Sequence, residues 1–448
     1  MEKGKQRENW GSRFGFIMTT VGFSVGLGNI WRFPYLTGTN GGGAFVLIYL
    51  GICLLIGLPL FTMEMSIGRK TQLNPVEGMR GLTKKGSAWV AFGWLGVLAA
   101  FIILTYYIQI MGWIVAYLAK MVTGQLSGLT AGGYEGVFDG LMANTLMLTV
   151  VTLICSLVIG FISSKGLEKG LERACKIMLP VLFIMMIILA IRSLTLEGAM
   201  EGVRWYLAPD FSQVSGGTVI AALGQAFFSI GIASGGSFIY GSYLSKNSNI
   251  PGDGALIVGL DTMIALLSGI VMFPAIFALG LSPDSGPSLL FVTMSNLFDQ
   301  IPLGGFFGAI FFILLFVAAL SSALGYLEPI VMTVSELGKI DRKKAVWISL
   351  AAIFIIGYST ILGNGPWSHI LIGGRNLFDF ADYLSGNIMM PLGAIFLSLY
   401  TAFIWKFNNY QKETNVGAKG LRVFNWWKPL VNFIVPISLI LIFLTNAF

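Results

Sequence analysis

Residues 21–34 read VGFSVGLGNIWRFP and lie inside an apolar stretch that opens near Phe14. A helix that crosses lipid needs about 20 apolar residues. This one carries Gly22, Gly26 and Gly28, a bare Asn29 and the fixed charge of Arg32. Glycine is a poor helix former. A charge at bilayer depth costs at least ~2.5 kcal/mol on insertion scales and marks a site or a pathway. Together these residues predict a helix that breaks in mid-membrane. Breaking it frees carbonyls and N–H groups, which are tolerated at depth only where they meet protein, water or a ligand. The carbonyls suit a cation. The N–H groups that open the next half-helix suit an anion, aided by the helix dipole. A ligand with both signs, such as an amino acid with a co-transported cation, uses both. Close packing is the other reading of Gly22-x-x-x-Gly26, because small-xxx-small spacing commonly serves it. Asn29 and Arg32 favour the break.

Of the 448 residues, 55% are hydrophobic and 11% charged, with mean hydropathy +0.79. Soluble domains are about 25% charged, so the chain reads as an all-α polytopic membrane protein. Eleven spans are expected, near 14–36, 42–68, 90–122, 142–162, 174–191, 218–243, 255–280, 303–334, 345–363, 382–404 and 430–446. Several exceed the bilayer thickness and must tilt or break. The polar opening MEKGKQREN is unlike a cleaved signal, so the first helix is expected to remain as an anchor. With the N-terminus in the cytoplasm, 23 of the 28 Lys and Arg fall on the cytoplasmic side and Arg32, Lys120, Arg192, Arg204 and Arg375 on the other. That asymmetry follows the positive-inside rule and puts the C-terminus outside. It also accounts for the net charge of +7 without nucleic acid. The expected location is the cell inner (plasma) membrane. Cys53, Cys155 and Cys175 are isolated and show neither metal nor disulfide spacing.

The sixth span is interrupted in the same way, by FFSIGIASGGSF at 227–238. Broken spans at matching positions of two halves point to an inverted-repeat transporter. The expected organisation is one transmembrane domain over 1–448, with repeat one at about 10–192, repeat two at about 217–406 and an additional helix at about 430–446.

These features come with quotable motifs: REN-W at 7–10, GFSVGLGNIWRFP at 22–34, NGGGAF at 40–45, GQAFFSIGIASGG at 224–236 and ALSSALGYLEP at 319–329. In order and spacing they resemble the neurotransmitter:sodium symporter family, from about Arg7 to about Lys406. Eleven helices resemble its bacterial branch. The resemblance implies the 5+5 inverted-repeat leucine-transporter fold with broken helices 1 and 6 plus an eleventh helix. It implies two Na+ ions. The first would be held by the Ser24 carbonyl, Asn29, Ser229 and Asp261, completed by the substrate carboxylate. The second would be held by the carbonyls of Gly22, Val25 and Ala318 and the hydroxyls of Ser321 and Ser322. Hard cations prefer such oxygens. A serine pair bonded back to its own helix is the plainer reading of Ser321 and Ser322.

The implied substrate pocket comprises Ser24, Leu27, Gly28, Ile103, Tyr107, Phe228, Ser229, Gly231, Ser234, Ser322 and Tyr326, with Tyr107 on the substrate carboxylate. Packing or an interfacial belt is the other reading of Tyr107, and its mid-span place argues against the belt. Monoamine carriers of the family have an aspartate where this chain has Gly26, so an amino acid that brings its own carboxylate is expected. Asp261 stands where the family usually has asparagine, in the neighbourhood of Tyr49, Gln225 and Ser229 that binds chloride in chloride-dependent members. Its charge is expected to replace the anion. Tyr326 stands where smaller aliphatic residues are common, and Gly231 is expected to leave room for aromatic substrates. Gates are implied at Arg32 with Asp382 on the outside. On the inside Arg7 would pair with Glu336, beside Trp10 and Tyr243.

The resulting expectation is a symporter, not an enzyme, that imports neutral hydrophobic and aromatic L-amino acids with sodium and without chloride. Membrane lipid is its surroundings, and no protein partner is implied. The alternatives are a ligand-gated channel or an amino acid sensor on the same fold. A membrane enzyme lacks a metal cluster, and the single histidine, His369, falls in a loop.

Overall fold

The computed structural model describes residues 8–280 and 289–447. Eight helices are long and apolar enough to cross a membrane unbroken: Gly43–Thr71, Val90–Val122, Thr145–Ser163, Leu167–Leu194, Ile250–Ala278, Gly304–Gly338, Arg342–Gly363 and Leu377–Thr414. Three further spans bring the described residues to the expected eleven. The first is split into Arg13–Ser24 and Gly28–Thr39, bent by 55°. The sixth is split into Gly216–Ile230 and Gly236–Ser242. The eleventh is Trp427–Leu441. Spans are numbered in chain order below.

The arrangement follows from which faces are apolar. Spans four and five expose stripes to lipid, including Leu146, Val150, Ile154, Leu157 and Phe161 on four and Ile177, Val181, Ile184, Ile188 and Ile191 on five. Their spacing of three or four residues keeps each stripe on one helix face. Spans two, three and eight are two-thirds buried over their most apolar windows (67%), against 39% for four and five. They form the centre on which the broken spans lie.

Each break has a local cause. Span one loses helical geometry at Val25 (φ −74°, ψ 105°) and resumes as a wide π turn at Gly28–Arg32. Span six holds Gly231, Ala233 and Gly235 at positive φ (69°, 63° and 75°). Glycine takes that conformation freely, whereas alanine does so at a cost. The cost is offset from outside the helix. The Ala233 N–H donates to Glu64 Oε2 of span two at 2.9 Å, and Glu64 is fully buried. A lone acid in FTMEMSIG therefore supplies an acceptor that the unwound backbone lacks.

Two spans run further than hydropathy predicts. Span five begins at Leu167, seven residues before the expected 174, with a π turn over Leu167–Glu172. Glu172 is buried there because its carboxylate accepts from Gly11 N–H (2.8 Å) and Ser12 Oγ (2.9 Å) and pairs with Lys176 (2.6 Å). Span ten continues to Thr414 instead of 404, because Tyr410 and Thr414 hydrogen-bond Thr62 (2.8 Å) and Ser66 (2.7 Å) of span two. Tertiary polar contacts extend both helices through sequence that reads as loop.

Candidate ion and substrate site

The two breaks touch each other directly and are flanked by spans three, seven and eight. Asn29, just past the first break, donates through Nδ2 to Ser229 Oγ (2.8 Å), Asp261 Oδ1 (2.8 Å) and the Asp261 carbonyl (3.1 Å). The Ser229 hydroxyl donates to Asp261 Oδ2 at 2.7 Å and accepts from Tyr49 OH at 3.3 Å. Gln225 Nε2 donates to the Gly28 carbonyl at 2.8 Å. Ser24 approaches from the first break, its hydroxyl 3.3 Å from the Ile230 carbonyl. Asp261 is fully buried, and among the described residues it has no cationic partner. A buried carboxylate ringed by neutral oxygen-bearing groups is chemically a site for a hard cation.

A second cluster lies on the Trp10 side of the first break. Ser322 Oγ donates toward the carbonyls of Gly22 (3.2 Å) and Val25 (3.0 Å), 300 and 297 residues away in sequence. The neighbouring Ser321 bonds back to Ala318 O at 2.9 Å. A Cβ at Gly22 would lie 3.1 Å from that of Ser321, so only a glycine lets the two helices close this near. The plain reading of the serine pair thus holds for Ser321 and fails for Ser322. Gly22, Val25 and Ser322 are joined by these bonds and Ser321 packs against Gly22, while the Ala318 carbonyl is taken by Ser321 of its own helix.

Between the clusters is a small cavity lined by Phe23, Ser24, Gly26, Leu27, Gly28, Tyr107, Phe228, Ser322 and Tyr326. Leu27 N–H points to Tyr107 OH at 3.5 Å. A Cβ at Gly26 would lie 2.6 Å from Ser322 Oγ and 2.9 Å from Tyr107 OH, so glycine keeps this end open. Four expected lining residues are absent from the wall. Ile103 is buried in packing. Ser229 is turned to Asp261. Ser234 Oγ is bonded to the Gly231 carbonyl at 2.7 Å. Gly231 faces Phe23, whose Cζ would be 2.6 Å from a Cβ there. The room that Gly231 leaves is therefore taken by Phe23, not by substrate. Phe23 was not singled out in the sequence. Its ring also occupies the space beside Gly236 and Gly325, and it meets Tyr326 edge-on at 5.1 Å.

Arg32 and Asp382 do not form an ion pair within 4.0 Å, although Asp382 is the leading charge acting on Arg32. Arg32 instead lies 5.0 Å over the Phe228 ring and donates to Gln225 Oε1 (3.2 Å) and Gly224 O (3.4 Å). Arg7 lies outside the described residues. Glu336 accepts from Asn74, through N–H at 3.0 Å and Nδ2 at 2.6 Å. Trp10 and Tyr243 do meet, edge-on at 5.9 Å, and Trp10 Nε1 donates to Tyr240 O at 3.1 Å. Beside them is a buried ion pair that sequence reading missed. Arg342 donates to both oxygens of Glu328 at 2.7 and 2.6 Å, and Tyr243 OH donates to Glu328 Oε1 at 2.6 Å. An acid inside the apolar stretch ALSSALGYLEP was the available signal.

Comparison with known proteins gives consistent results. The sodium:neurotransmitter symporter family model matches residues 7–132 and 139–448. The sodium-dependent transporter YhdH of Bacillus subtilis is 38% identical over 436 residues, 97% of this chain and 96% of the relative. A sodium-dependent transporter of Haemophilus influenzae is 35% identical over 457 residues, 99% of each chain. The crystal structure of MhsT in complex with L-phenylalanine matches with a TM-score of 0.90 at 41% identity, covering 99% of this chain and all of that one (100%).

Proposed function

The chain belongs to the sodium:neurotransmitter symporter family, as a multi-pass sodium-dependent transporter of the leucine-transporter fold, and on that premise we propose that it imports neutral hydrophobic and aromatic L-amino acids by alternating access. The observation that carries this reading is the cavity. Leu27 N–H and Tyr107 OH converge at one end, where they can both donate to a carboxylate. The rings of Phe23, Phe228 and Tyr326 form the walls, and no Asp, Glu, Lys, Arg or His lines them among the described residues. A charged side chain would be buried without a partner, at several kcal/mol. An aromatic one gains about 25 cal/mol per Å² buried, plus edge-on ring contacts. The L-phenylalanine bound in the MhsT structure accords with this class.

Two Na+ ions accompany the substrate. The first binds at Ser24, Asn29, Ser229 and Asp261 and is completed by the substrate carboxylate, which couples the two bindings. The second binds at Gly22, Val25, Ala318, Ser321 and Ser322. Asp261 supplies the negative charge that chloride supplies elsewhere in the family, so transport proceeds without chloride. Spans one, two, six and seven rock against the rest, within repeats over about 10–192 and 217–406. The protein sits in the plasma membrane with its N-terminus and the Trp10 end on the cytoplasmic side.

The test is uptake of labelled L-phenylalanine by the purified chain in proteoliposomes under an inward sodium gradient. Uptake should saturate, vanish when choline replaces sodium, and persist when gluconate replaces chloride. Asp261→Asn should lose uptake or acquire a chloride requirement. Full activity of that variant in gluconate would overturn the role given to Asp261, and absence of sodium-dependent uptake of every hydrophobic amino acid would overturn the substrate class.

A further inference from the structure

A pocket far larger than the central cavity lies at the Trp10 end. It holds about 520 Å³ between the start of span one, the start of span seven and the loop that follows span ten. Small-molecule sites usually measure about 300–1,000 Å³. One wall carries Trp10 and Arg13, the second Asp253, the third Lys419.

Asp253 is the unusual member. It is only 2% exposed, and its Oδ1 takes both contacts from Arg13, from Nε and from Nη2, each at 2.8 Å. Among the described residues its Oδ2 accepts no hydrogen bond. Asp253 lines the pocket, and its Oδ2 is open to solvent there rather than sealed in the interior, so it can accept from a ligand. Arg13 is 67% exposed, so most of its donor capacity faces the pocket mouth and solvent. Lys419 is exposed on the facing loop. The pocket thus offers one unfilled acceptor, two cations with donors to spare, and the partly buried indole of Trp10.

We propose that this pocket is a second amino-acid site, filled from the cytoplasm by the class of molecule the transporter carries. The ligand ammonium donates to Asp253 Oδ2, its carboxylate lies between Arg13 and Lys419, and its side chain rests on Trp10. The identity of the ligand class rests on the cargo proposed above. A ligand held in this way bridges span one to span seven and to the loop after span ten. Span one must leave that end for cargo to be released, so the bound molecule favours the closed state. Accumulated cytoplasmic amino acid slows further import by differential binding to one state.

Sodium separates the two sites, because the central one needs Na+ and this one does not. L-Phenylalanine is titrated into the full chain in nanodiscs, by equilibrium dialysis and saturation-transfer NMR, in sodium and in choline. The expected result is a weak sodium-free site, with Kd on the order of millimolar, that survives Tyr107→Ala. Asp253→Asn and Lys419→Gln should each weaken it by about tenfold or more, the loss of one charge-assisted contact. Lys419→Gln should leave sodium-dependent binding in place. No sodium-free binding by wild type, or binding that both pocket variants retain, or binding lost with Tyr107→Ala, would each overturn the proposal. If sodium-dependent binding alone is missing, the cargo reading fails instead.

Discussion

The two ends of the transport path are closed by different chemistry. At the Trp10 end, Arg342 grips both oxygens of a fully buried Glu328 at 2.6–2.7 Å and reaches Glu8 at 3.3 Å. Tyr243 adds a 2.6 Å bond to the same carboxylate, and Glu172 holds Gly11 and Ser12 against span five. At the Arg32 end the contacts are a ring at 5.0 Å and neutral acceptors at 3.2 and 3.4 Å. Short bidentate bonds between buried charges are the strong kind, and removing one partner costs about 3–5 kcal/mol because the other charge is left buried. An exposed or water-separated pair contributes under ~1 kcal/mol. One end is locked by buried charge. The other is held by packing and long contacts, which a substrate can complete or release.

The strongest attack on this contrast is Arg342→Met, which strands Glu328. About 3–5 kcal/mol lost from the closed Trp10 end should lower sodium-driven uptake by about 100-fold or more, at ~1.4 kcal/mol per tenfold. A Ser242→Cys reporter, fully buried at that end in this structure, should then react much faster with a membrane-impermeant maleimide. Wild-type uptake and reactivity would remove the lock.

A smaller effect is expected midway, at Gly231→Leu. Its φ of 69° disfavours any side chain, and the new Cβ would press on Phe23. Overpacking of this kind costs about 1–3 kcal/mol. The melting temperature should drop and uptake should fall alike for alanine and phenylalanine. A variant that keeps alanine but loses phenylalanine would place Gly231 in the cavity wall after all.

The smallest effect is expected at the loosely held end. Arg32→Ala should cost under ~1 kcal/mol, seen as a few-fold drop in uptake with sodium affinity unchanged. A loss as large as that of Arg342→Met would show the two ends to be equally locked.

Much of the architecture was legible because it depends on residue type at a position. Gly22, Gly26, Asn29 and Arg32 in one span, and Gly231 to Gly236 in another, forecast both breaks. Asn29, Ser229 and Asp261 meet as expected, as do Gly22, Val25 and Ser322. The misses share a cause. Phe23 sits within the quoted motif, yet which way its ring points depends on Gly236 and Gly325, far away in sequence. Hydropathy ended span five at its polar side because it cannot register that Glu172 is satisfied by Gly11 and Ser12.

The sequence by itself determined the membrane class, the number of spans and where two of them break, since each is a matter of local cost: apolar length against bilayer thickness, and glycine or charge against helical bonding. Only the tertiary structure decided which buried charges are paired, with Glu328 on Arg342, Glu64 on the Ala233 amide and Asp261 on neutral donors, and that Phe23 fills the space beside Gly231. Those outcomes depend on partners brought from distant segments into a low-dielectric interior, where an angstrom of separation decides between a strong bond and an unpaired group.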